Sequence, residues 1–177
     1  MNDATLSSTT PPQSAPARRL EAAFHQIAVT HMAGVPILNP QLRVEAVGFR
    51  EWRGHNLGVL ITPWFMNLIC LPSAPGGGEK LASGSKQDMT LPSGEYEFLT
   101  AWEESLGPYL TSSLFSPMFE FPDQDLARKV ALAVLREIFT PAQAGGAAAP
   151  ERFSGKREAP TSRRAFLSTF LPRERRP

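Results

Sequence analysis

The sequence of 177 residues predicts an α+β fold, an antiparallel β-sheet meander of about five strands with an N-terminal and a C-terminal helix packed on one face. Three observations carry that reading. An apolar stripe with helical spacing stands near each end of the central region, and five β-prone segments follow one another between them. The connections are too short for the crossovers that parallel strands require.

The first helix starts near Ala17. Leu20, Ala23, Phe24, Ile27, Ala28 and His31 form one stripe, which Gly34 and Pro36 stop. Residues 43–52 and 56–62 flank Arg53-Gly54-His55 and read as a hairpin. The uncharged run GVLITPWFMNLICLP is broken at its centre by Pro63, which offers no ladder donor and fixes its own φ, so it divides into two strands around a corner, the second at 66–71. Residues 72–94, rich in Gly and Pro, read as a long loop. At 95–103 the residues alternate, with Tyr96, Phe98, Thr100 and Trp102 on one side, and 109–114 forms the last strand, ended by Ser116-Pro117. Asp123 caps a second helix whose apolar face runs from Leu126 to Ile138, and Thr140-Pro141 closes it.

Three regions follow: a disordered Ser/Thr/Pro-rich tail at 1–16, a single domain at 17–141, and a flexible basic tail at 142–177 with a docking segment at 162–167. The net charge of +1 hides an asymmetry. Residues 151–177 carry eight Lys/Arg against three Asp/Glu, while residues 1–150 carry ten against fourteen. The start of the sequence lacks the apolar core of a secretory signal, and a single cysteine, Cys70, fits a reducing compartment, so a cytoplasmic location is expected. Pro63, Asn67, Pro72 and Pro75 interrupt the uncharged stretch 56–78, which argues against stable membrane insertion.

A search for chemistry assembles no catalytic set. His25 and His31 point about 240° apart around a helix, and His55 falls in a turn, so no metal site is expected. GGGEKLASGSK departs from a phosphate loop, because five residues separate Gly78 from Gly84 and Ser85 precedes Lys86. No G-x-S-x-G surrounds the serines of TSSLFSP, and Cys70 reads as a small buried hydrophobe. The tail arginines stand without an aromatic-interleaved sheet motif or a recognition helix, so no nucleic-acid partner is expected. Elimination favours a non-catalytic protein that acts on another protein. The alternative is a small-ligand-binding protein or an enzyme with a pocket under the 72–94 loop.

AAFHQIA, ITPWFMNLICLP, LPSGEYEFL, YLTSSLFSP and SRRAFL, in that order, resemble the HybE-type family of nickel-iron hydrogenase assembly chaperones. The resemblance covers residues 20–140 and 162–167. It implies a cytoplasmic accessory protein, without cofactor, that binds the small subunit precursor, the large one or both, of a nickel-iron uptake hydrogenase. It also implies delay of twin-arginine export until cofactor insertion is complete, or protection of the immature iron-sulfur subunit from oxygen. Some relatives carry a rubredoxin module with four metal-binding cysteines; with one cysteine here, no iron site is carried over. No catalytic residue transfers. The expected partner contacts combine exposed-turn geometry with aromatic or arginine chemistry: Pro63, Trp64, Phe65, Tyr109, Ser116, Pro117, Arg163, Arg164, Phe166 and Leu167. For Trp64, core packing stands beside contact as an equal alternative, and 162–167 docks either on its own domain or on the partner.

Overall fold

The computed structural model describes residues 14–73 and 82–141. The tails at 1–13 and 142–177, with the segment 162–167, lie outside the described residues, as does 74–81 within the predicted loop. Helix α1 spans Ala15–Thr30, two residues earlier than expected, because Ser14 caps it by accepting the Ala17 amide and Pro16 occupies its first turn. Strands β1 (Glu45–Trp52), β2 (His55–Ile61) and β3 (Met66–Pro72) follow, then β4 (Lys86–Leu91), β5 (Gly94–Glu103) and β6 (Gly107–Phe115), and α2 (Gln124–Phe139) closes the domain. The Asp123 carboxylate accepts the Leu126 amide at 2.7 Å and caps α2 as expected.

The α+β class and the antiparallel pairing are as the sequence predicts, with a sixth strand added. That strand, β4, lies inside the stretch read as a loop. The sheet order is β1-β2-β3-β6-β5-β4, so two three-stranded meanders meet where β3 pairs with β6. The chain leaves β3 in the middle of the sheet and re-enters at the far edge.

A second correction concerns the helices, which cover opposite faces instead of one. Leu57, Val59, Ile61, Met66, Leu68 and Cys70 pack with Val130, Val134 and Ile138 of α2. The alternate residues Leu60, Ile69 and Leu71 pack with Leu20 and Phe24 of α1. With both faces covered, β2 and β3 carry continuous apolar runs where a half-buried strand would alternate. The β1–β2 turn uses Arg53 and Gly54, both at positive φ, as a two-residue hairpin requires. In β1 a bulge at Gly48 and Phe49 lays Phe49 over Gly58 of β2.

Candidate partner-binding surface

The corner between β2 and β3 is built on Thr62. Ile61 pairs with Met66, and the Thr62 amide donates to the Phe65 carbonyl at 2.8 Å. The Thr62 hydroxyl oxygen accepts from the Phe65 amide at 2.9 Å and from the Trp64 amide at 3.3 Å. One side chain thereby takes the amides that a closed two-residue turn leaves to its own carbonyl. Pro63 sets the first position of the turn, where its fixed φ suits the geometry and its missing donor costs nothing. Its carbonyl accepts the Asn39 amide at 2.8 Å.

Asn39 ties the corner to two further segments. The Asn39 side-chain amide nitrogen donates to the carbonyls of Met118 at 2.9 Å and Phe121 at 2.7 Å, and its oxygen accepts the Gln41 amide. The α1–β1 connection, the 62–65 turn and the β6–α2 connection are thus braced together at one end of the sheet. Ser116 Oγ donates to the Trp64 carbonyl at 3.4 Å, and the Ser116-Pro117 peptide bond is cis.

Of the corner aromatics, Trp64 is 9% exposed and belongs to the core beneath α1. Phe65 is half-buried and meets Phe24 and Trp64 edge to face, with ring centroids 5.8 and 5.7 Å away. Ser116 and Pro117 are exposed, and Pro63 is half-buried. Five expected contact residues are therefore brought together: Pro63, Trp64, Phe65, Ser116 and Pro117. Tyr109 is not among them. It pairs with Ala101 and lies one residue past the Leu110–Cys70 pair, about six strand positions from Phe65 or about 20 Å at 3.3 Å per residue, half-buried against the α1-side core. Burial, and then the Glu103 charge, pushes its phenol up. Arg163, Arg164, Phe166 and Leu167 lie outside the described residues.

Two residues that sequence reasoning missed lie in the segments Asn39 holds together: Ile37, 45% exposed, and Phe119, 58% exposed. Their signal was a large apolar side chain in a proline-punctuated connection, Val-Pro-Ile-Leu-Asn-Pro and Pro-Met-Phe-Glu-Phe-Pro, where such residues have little sheet to bury them. Cys70 is buried, and burial pushes its thiol up to about 12, which keeps it protonated and unreactive at neutral pH. No group of three or more His, Cys, Asp or Glu placed to hold a metal occurs among the described residues.

The fold is an α+β domain, one end of which carries a turn braced by Asn39 with exposed apolar residues in the adjoining segments. The chain belongs to the family described as "[NiFe]-hydrogenase assembly, chaperone, HybE", which it matches over residues 15–169. Members of this family assist hydrogenase assembly and are not catalysts of a reaction of their own. The chain is 37% identical over 159 residues to the hydrogenase expression/formation protein HupJ of Bradyrhizobium diazoefficiens, covering 88% of this chain and 89% of that protein. It is 45% identical over 120 residues to the probable rubredoxin HupJ of Rhodobacter capsulatus, of which the match spans only 43%. The solution structure of HybE from Escherichia coli has the same fold, with a TM-score of 0.59 at 23% identity over 85% of this chain and 90% of that one. No described helix is long and apolar enough to cross a membrane.

Proposed function

We propose that the chain acts in the cytoplasm by seating a nickel-iron hydrogenase subunit precursor on the corner, through Phe119, Ile37, Phe65, Pro63, Ser116 and Pro117. Trp64 supports that surface from beneath. Holding the precursor delays its twin-arginine export, or shields an immature iron-sulfur subunit from oxygen, until assembly is complete. The observation that carries this reading is that Asn39 ties the two segments bearing exposed Phe119 and Ile37 to the turn of Pro63 and half-buried Phe65. An apolar patch on a rigid frame loses little entropy on binding, and aromatic residues in such patches supply much of the binding energy. Family membership supplies the class of partner.

The test is affinity capture from cells making the hydrogenase, with mass spectrometry of the retained subunit, for the wild type and for Phe119→Ser. The exposed position should leave stability within about 0.5 kcal/mol of wild type. Precursor recovery should fall about tenfold or more, the loss expected of a central aromatic anchor. Wild-type recovery by a correctly folded Phe119→Ser would move the site elsewhere.

A further inference from the structure

Helix α1 covers only half of its face of the sheet. Its core takes in Val44, Leu60, Ile69 and Leu71 and stops at Tyr109 and Leu106. Beyond that line the outer surface of β4 and β5 has no covering element among the described residues. Lys86, Asp88, Thr90, Glu95 and Leu99 are exposed there, Leu99 to 43%.

The uncovered surface has an order along β5. Glu95 and Glu97 come first, then Leu99, then Ala101, all pointing to the same side because successive side chains alternate. Across the ladder Asp88 stands directly opposite Glu97 and Thr90 opposite Glu95. Two carboxylates in direct cross-strand register repel each other. Lys86 answers one of them, donating to both oxygens of Glu97 at 3.0 and 3.1 Å. Among the described residues neither Asp88 nor Glu95 has a cationic partner. The ladder thus presents an acidic end short of one or two cations, continued by an apolar end.

The chain itself contains the complement in the same order. Ser162-Arg163-Arg164-Ala165-Phe166-Leu167 offers two cations and then two large apolar side chains. Four residue steps separate Arg163 from Leu167, as they do Glu97 from Ala101, about 13 Å in each case for extended chain. Twenty residues join Pro141 to Ser162, and a connection of that length reaches about 25 Å as a coil. It departs beside the strands in question: the Ile138 carbonyl at the end of α2 accepts the amide of Ser93 in the β4–β5 turn at 3.1 Å.

We infer that residues 162–167 of the chain dock on the uncovered outer face of β4 and β5, with Arg163 and Arg164 on Asp88, Glu95 and Glu97 and with Phe166 and Leu167 over Leu99, Ala101 and Tyr109. Guanidinium groups suit this task because each can bridge two carboxylates with directed hydrogen bonds. The dock is intramolecular and separate from the corner. It completes the α1-side layer across the half of the sheet that α1 leaves open.

Hydrogen exchange with mass spectrometry on the intact, client-free protein tests this. Amides 163–167 should exchange about tenfold more slowly than in an unstructured peptide. Asp88→Lys with Glu95→Lys, both at exposed positions, should return them to the unstructured rate, as should Arg163→Glu with Arg164→Glu. The two pairs combined should restore protection. Glu137→Lys with Asp125→Lys, an equal charge change on α2, should not alter it, and unchanged β3 amides in every variant confirm the fold. Unstructured rates in the wild type overturn the proposal. Protection that survives Asp88→Lys with Glu95→Lys overturns it too, by placing the segment elsewhere. Protection that grows with protein concentration gives the segment to a second copy and overturns the intramolecular dock.

Discussion

Thr62 accepts two amide N–H groups through one hydroxyl oxygen, so Thr62→Val, which keeps the shape and removes the acceptor, leaves the Trp64 and Phe65 amides unpaired in the turn. Unpaired buried donors cost about 1–3 kcal/mol, and the unfolding free energy from urea titration should fall by that amount. Trp64→Ala should cost more, about 3–5 kcal/mol, because it empties a large volume beneath α1. Gly58→Ala tests the bulge: an added Cβ would lie 2.4 Å from Phe49 Cδ2 and 2.8 Å from the Phe49 Cα, so the backbone must shift, at about 1–3 kcal/mol. The break at Pro63 was legible in the sequence, because proline's backbone constraints are local. Whether Trp64 faced inward was not, since an aromatic at a turn suits core and surface equally until α1 is placed over it. Gly58 was unreadable for a similar reason: its need for a missing side chain comes from Phe49, nine positions earlier on another strand.

At the scale of elements, β2, β3, β5 and α2 were legible because each has a strong apolar pattern. Strand β4 was not. Its sequence, KQDMTL, is polar and follows a Gly/Pro run, and only Gln87, Met89 and Leu91 turn inward at the sheet edge. The opposite placement of the helices had a signal in the unbroken apolar runs of β2 and β3, which only a doubly covered strand tolerates. Helix α2 is fixed to β1 by Glu45, which accepts from Arg128 Nε at 2.7 Å, Arg128 Nη2 at 3.0 Å and Gln124 Nε2 at 2.7 Å. Burial works against the Glu45 charge, but hydrogen bonds from Arg128 and Gln124, with the Arg128 and Arg43 charges, outweigh it and hold the carboxyl below its ordinary value of 4.5. A carboxyl depressed by folding stabilises fully above its unfolded value and loses that contribution as pH falls through its folded value. Stability should therefore drop on acidification below pH 4.5, and Glu45→Gln should flatten that part of the profile. An equal acid slope in both proteins would remove Glu45 from the account.

At the scale of the molecule, two meanders and two helices on opposite faces make a plate whose one braced end carries exposed Ile37 and Phe119. The role in hydrogenase assembly was legible in the sequence only through the ordered family blocks, since no catalytic or metal-binding constellation marks it. The surface was half legible: turn chemistry pointed to Pro63, Phe65, Ser116 and Pro117, whereas Phe119 and Ile37 joined them through Asn39, a contact that spans 79 residues. The most direct measurement of the central claim is quantitative capture of the hydrogenase subunit precursor by wild type and Phe119→Ser at matched folded concentration. Phe119→Ser should lose about tenfold or more of the precursor with an unchanged unfolding midpoint; full recovery by the folded variant would rule out the corner as the binding surface.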